Sequence, residues 1–121
     1  MNKSQALQKF WSSFGLPAYD QYTVPHDAKM PYITYSDSES DFGVPVALTG
    51  SLWYRSQSWE AITLKAYDIA HAIALGGQVI PIDDGRLWIY RGTPFMQRMA
   101  DTDDTVRRIV LNITAEYLTA N

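Results

Sequence analysis

Residues 105–118, "TVRRIVLNITAEYL", alternate so regularly that they fix the kind of layer this chain can build. Ile109, Leu111, Ile113, Ala115 and Tyr117 fall on one side of an extended backbone; Arg108, Asn112, Thr114 and Glu116 fall on the other. Successive strand side chains point to opposite faces, so this segment has one dry face and one wet face. That pattern belongs to an antiparallel sheet with a solvated side rather than to a doubly covered parallel sheet. Something apolar must then cover the dry face.

The best cover is the segment 58–75. Ile62, Ala66, Ile69, Ala70 and Ile73 recur at helical spacing, with Lys65 and Asp68 on a wetter side. Ser58 is placed to cap the helix, Glu60 complements its positive end, and Gly76-Gly77 supplies a stop. A shorter helix is expected over 3–14, where Ala6, Leu7, Phe10, Trp11 and Phe14 share a stripe that Gly15-Leu16-Pro17 ends. It is expected near the edge of the sheet. Residues 31–36 alternate as a strand, Tyr32 and Thr34 opposite Ile33 and Tyr35. Residues 44–55 form a longer one in which Val44, Val46, Leu48, Leu52 and Tyr54 share a side, and Gly50 marks a bulge or a close backbone approach. "QVIPI" and "RLWIYRG" flank Asp83-Asp84-Gly85, a hairpin signal. The expected fold is α+β, in the order α-β-β-α-β-β-β: a mostly antiparallel sheet, one long helix packed on one face, and a short N-terminal helix.

No repeat, low-complexity tract or linker divides residues 1–121, and this length suits a single domain that buries roughly two-thirds of its unfolded surface. At 46% apolar and 19% charged the composition is globular, and the net charge of −3 gives no general attraction to nucleic acid or anionic lipid. The chain has no cysteine, which excludes disulfides and thiolate chemistry and points to intracellular production. No run is apolar and long enough to span a bilayer; "AYDIAHAIAL" is short and broken by Asp68 and His71. The N-terminus lacks the apolar core of a signal peptide.

Catalytic chemistry finds little to use. His26 could act as a general base oriented by Asp27, but a loop histidine beside an ordinary carboxylate is much the better account of the pair. His71 follows Asp68 by three residues without further ligands at metal spacing, and the acids at 101–104 lack the glycine and closing glutamate of a calcium loop. No nucleophile elbow, phosphate loop or dinucleotide fingerprint occurs. The expectation is no enzyme activity, no cofactor and no metal. Arg86, Arg91, Arg98, Arg107 and Arg108 with Trp88 and Tyr90 raise the alternative of a single-strand nucleic-acid surface, but the nearby acids cancel most of that charge.

Aromatics are the unexplained surplus. The connection 14–36, "FGLPAYDQYTVPHDAKMPYITYS", carries three prolines and four tyrosines, and Trp53, Trp88 and Tyr90 fall on the sheet face away from the long helix. A sheet covered by one helix should leave that face wet, so rings there point to a partner, and in a chain this small to another copy of itself. Tyr19, Tyr22, Tyr32 and Tyr35 in the arm are equally suited to an assembly contact or to a lid over the chain's own core.

The segments "FWSSFGLPAYDQYTVPHDAKMPYITYS" and "LWYRSQSW", then a helix, then "LWIYRGTPFMQRMADTDDTVRRIVLNITAEYL", resemble small neck and tail proteins of long-tailed bacteriophages, and above all the tail-terminator (tail-completion) group. The resemblance spans nearly the whole chain and carries no catalytic signature. It implies a structural virion protein that forms a ring, six copies around, at the head-proximal end of the tail tube. Such a ring ends tail polymerisation and helps to join tail to head. Head–tail stopper and minor capsid proteins share this size and style, and an intracellular binding module is the remaining alternative. The implied partners are the chain itself, the tail-tube protein and head–tail connector proteins, with DNA passing through the ring. The implied location is the virion tail or neck, and the host cytoplasm during assembly. On this reading Tyr19, Tyr22, Tyr32, Tyr35, Trp53, Trp88 and Tyr90 are subunit-interface candidates. Asp37, Glu39, Asp41, Asp101, Asp103 and Asp104 suit a lumen or rim, where negative charge keeps passing DNA from sticking.

Overall fold

The computed structural model describes residues 1–120. Six strands form one sheet, in the order 18–20, 32–35, 46–55, 106–119, 85–99 and 78–82, and two helices pack on its inner side. In chain order the elements are α1 (Lys3–Ser12), β1 (Ala18–Asp20), β2 (Tyr32–Tyr35), β3 (Val46–Arg55), α2 (Glu60–Ile73), β4 (Gln78–Ile82), β5 (Gly85–Met99) and β6 (Val106–Thr119). This is the expected α+β order, with one addition. Ala18–Asp20 leaves the arm to pair with β2 as a parallel strand, Tyr19 opposite Thr34; every other pairing is antiparallel. Three residues between a glycine-proline stop and a turn are too few to show an alternation in sequence.

β6 is the centre of the design. Its ten-residue ladder with β3 runs unbroken from Val46↔Ala115 to Arg55↔Val106, and its other edge pairs with β5. Ile109, Leu111, Ile113, Ala115 and Tyr117 are all buried, and they meet Leu48, Leu52, Leu87 and Ile89 from the flanking strands on the same face. Ile62, Ala66, Ile69 and Ile73 of α2 complete that core; Ala70 sits at its margin, half-buried. Burying side chains of this size contributes about 1.5–3 kcal/mol each against leaving them in water.

Gly50 marks a close approach and not a bulge. The ladder passes through Gly50↔Leu111 without a shift, and a Cβ at Gly50 would lie 2.4 Å from the Trp11 ring. Trp11 therefore lies directly on the sheet, with Phe10 edge-on to it and Tyr35 stacked beside it. α1 itself touches both edge strands: it packs against β1 and β4, and Gln8 Nε2 donates to the Ala18 carbonyl at 3.0 Å. The sheet thus curls until one short helix bridges its two open edges, which shields them from pairing with other chains. Asn2 caps α1 reciprocally with Gln5, each side chain accepting from the other's backbone N–H.

Several boundaries differ from the sequence reading. α1 ends at Ser12 rather than 14. Ser58 accepts from the Glu60 N–H at 3.1 Å, while the cap position belongs to Trp59, which makes no side-chain cap. α2 stops at Ile73, before the glycines: Ala74 takes a left-handed φ of 62°. Its last carbonyls are satisfied from the sheet, Gln78 Nε2 donating to Ala72 O at 2.8 Å and Arg91 Nε to Ala74 O at 3.3 Å. β5 continues to Met99, past Pro94, because the pairing with β6 skips between Arg91 and Met96 and so tolerates a residue without an N–H. Val44, expected inward, lies before the strand begins and is exposed.

Candidate functional site

The outer face of the sheet carries no helix, and its rings divide into two groups. At one end Tyr32 pairs with Trp53, Trp53 with Arg108, and Arg108 with Met99, a row across four strands that Tyr19 of β1 extends. The Tyr19 and Tyr32 rings meet edge to face with centroids 5.8 Å apart. Trp53 Nε1 donates to Thr34 Oγ1 at 2.9 Å, and the Arg108 guanidinium lies 4.7 Å from the Trp53 ring centroid while donating to Ser51 Oγ at 3.0 Å. A guanidinium over indole adds attraction at a partly exposed site.

At the other end Trp88 and Tyr90 lie 4.4 Å apart. Trp88 Nε1 donates to Gly76 O at 2.9 Å, and Tyr90 Oη donates to Glu116 Oε2 at 2.6 Å, a bond to the carboxylate that raises the Tyr90 pKa together with partial burial. Val79 pairs with Trp88 and leaves over half its surface in water. Register separates the groups: Trp53 is opposite Arg108 of β6, whereas Tyr90 is opposite Thr114, six residues on, or about 20 Å at strand rise. The span between them is mostly polar: Thr49 faces Asn112, and Ser51 and Gln97 flank half-buried Val110.

The arm tyrosines do not act as one group. Tyr35 is 5% exposed, its hydroxyl bonded to the Gln8 side chain, and burial first, then Asp20 and Asp37, raises its pKa. It fills the core and leaves almost no ring for a neighbour. Tyr19 and Tyr32 join the outer face. Only Tyr22 stands out, 86% exposed, on a turn where Asp20 accepts from its N–H.

The two acidic turns lie near opposite ends of β6. The loop 36–45 is held to the strand's far end, where Tyr117 Oη donates to Ser38 O at 3.1 Å, Gly43 N–H to Tyr117 O at 3.0 Å, and Lys3 reaches Glu39 at 3.6 Å. Asp37, Glu39 and Asp41 sit on this loop. Asp101, Asp103 and Asp104 precede β6, on the order of 35 Å away along the strand. Asp103 accepts from the Thr105 hydroxyl at 2.7 Å and its N–H at 2.9 Å, bonds that lower its pKa, with Arg55 3.6 Å away.

His26 and Asp27 are exposed on the turn before β2 and His71 is exposed on α2, and the surface clefts of 240–510 Å3 are lined by other residues. Among the described residues no group of three or more His, Asp or Glu is placed to hold a metal, and no helix is long and apolar enough to cross a membrane. The arginines of the C-terminal third are split between faces. Arg86 and Arg108 share the outer face, whereas Arg91, Arg98 and Arg107 face the helices, the last two flanking the Trp59 ring at 4.8 and 5.3 Å. This removes the continuous positive stripe that a nucleic-acid surface needs. The Trp59 sandwich had no sequence signal, because the skip in β5 sets which way Arg98 points.

No family model matches the chain, and no curated protein matches it. Its fold is shared with a chain of a solved structure described as the virion of a native gene transfer agent particle. That superposition covers 96% of this chain and 94% of the other, with a TM-score of 0.70 at 16% sequence identity.

Proposed function

We propose that this chain is a structural protein of a phage-like virion: copies of it form a ring, six around, at the head-proximal end of the tail tube, ending tube polymerisation and helping to join tail to head. The observation that carries the reading is the end-to-end fold likeness to a chain from a gene transfer agent virion. It agrees with the resemblance of the sequence to tail-terminator proteins. The open outer face supports it further, since a ring needs two different patches that meet around a rotation axis. The Tyr19–Tyr32–Trp53–Arg108 row is one patch, and Trp88 with Tyr90 and exposed Val79 lies about 20 Å away on the same face. Exposed Tyr22 belongs to the arm that reaches a neighbour or the tail tube. The acidic turns 37–41 and 101–104 would then sit toward the two rims, repelling the DNA that passes through. Tail-tube and connector proteins are the other partners, in the virion and, before that, in the host cytoplasm.

Deleting the gene from its phage or particle tests this. Tails of irregular length, or tails that fail to join heads, are expected. Infectious particles with tails of uniform length would refute the role.

A further inference from the structure

The loop 36–45 presents an aromatic side chain largely to solvent. Phe42 is 65% exposed and Val44 next to it 50% exposed, yet the loop around them is held firmly: Tyr117 binds Ser38, Gly43 binds back to Tyr117, Lys3 meets Glu39, and the Val44 N–H donates to Asp41 O at 3.0 Å. A ring fixed in this way on a short tether loses little conformational freedom when it docks, which is the economy that makes a good anchor. The segment carries Asp37, Glu39 and Asp41 and no cation.

A complementary hole exists on another side of the same molecule. Where α1 closes over edge strand β4, Lys9, Phe10, Ser13, Val79, Ile80 and Pro81 line an open groove of about 240 Å3. Phe10, Val79, Ile80 and Pro81 make its walls mostly apolar, Ser13 and Gln78 add polar atoms, and its rim carries a lysine and no acid; a cavity of about 150 Å3 already accepts a benzene-sized ring. We infer that the Phe42 loop of one copy docks in the α1–β4 groove of the next, the phenyl ring filling the groove and Asp41 meeting Lys9. The two surfaces are different, so the contact is head-to-tail, the kind that closes a ring. The inference rests on the ring reading only in taking a second copy as the occupant, and it adds a seam at the α1–β4 edge that shares Val79 alone with the outer-face patches.

The chain has no cysteine, so introduced thiols report without interference. Two full-length variants, Ser40→Cys beside the loop tip and Ser13→Cys at the groove, are mixed at high concentration and joined with a short bismaleimide. A covalent trap accumulates even a weak contact. The mixed dimer should outnumber each homodimer several-fold beyond the two-to-one ratio of random pairing. The excess should vanish with Phe42→Ala or Lys9→Glu, both exposed positions whose replacement circular dichroism can show to leave the fold intact, and Asp41→Lys should restore it in the Lys9→Glu background. Statistical pairing, no cross-link, or an excess indifferent to Phe42→Ala overturns the seam. Tail length in the gene deletion is a separate readout: normal tails with a specific cross-link would sink the terminator role and leave the contact, and irregular tails without the cross-link would do the reverse.

Discussion

The two faces of β6 are one strand under two regimes. On the inner face Ile109, Leu111, Ile113, Ala115 and Tyr117 are closed off by α1 and α2. On the outer face Arg108, Val110, Asn112, Thr114 and Glu116 are only half-buried, with no element laid over them. The inner face is held by close packing, in which a single methyl matters. The outer face is held by polar handles on its rings: Trp53 to Thr34, Trp88 to Gly76 and Tyr90 to Glu116. The difference teaches that the outer rings are already oriented by their own chain. Ordered rings present large contact area to a partner with little further entropy loss.

The sharpest way to break this contrast is to truncate the same strand on each face. Ile113→Ala should cost about 2–5 kcal/mol by urea unfolding. Thr114→Ala, one residue along, should stay within about 0.5 kcal/mol. Equal costs would mean that the outer face is packed after all. Next in size is Gly50→Ala, whose Cβ would collide with the Trp11 ring backed by Phe10 and Tyr35. Overpacking of this kind costs about 1–3 kcal/mol, and a neutral result would show that α1 can move off the sheet.

Tyr117 sharpens the comparison by pH. Burial first, then Asp37 and Glu39, pushes its pKa up, well beyond the ordinary tyrosine range. A raised folded pKa means that its contribution is fully present below about pH 10, where free tyrosine titrates, and is lost as pH rises above that value. Tyr117→Phe should cost about 0.5–1.5 kcal/mol near neutral pH through the lost bond to Ser38. It should also flatten the fall in stability above pH 10; an unchanged alkaline slope would assign that fall to other groups. The smallest effects belong to the outer rings. Trp53→Phe and Tyr90→Phe should each cost about 1 kcal/mol or less in the free chain. If the face is an interface, these same changes should weaken particle assembly far more than they weaken the fold.

Much of this architecture was legible because β6, α2 and the Asp-Gly hairpin each carry an unambiguous period or turn. The strand faces of Ile33, Leu52, Trp53, Trp88 and Tyr90 came directly from alternation. What stayed hidden depends on distant contacts. Alternation puts Tyr35 on the face of Ile33, but its partners Gln8 and Trp11, which make it core rather than arm, lie on α1 and leave no local signal. The extension of β5 beyond Pro94 is set by pairing with β6, and Asn112 Nδ2 helps hold it by donating to Pro94 O at 2.8 Å. Phe42 gave no signal either, because exposure of one ring on a polar loop is a property of what fails to cover it.

The central claim is one of place, and labelling intact particles tests it most directly. An antibody or gold-tagged copy bound to purified virions should mark a single site at the head–tail junction, with copy number per particle matching one ring of six. Label spread along the tube or over the capsid, or a purified virion without this chain, would contradict the account.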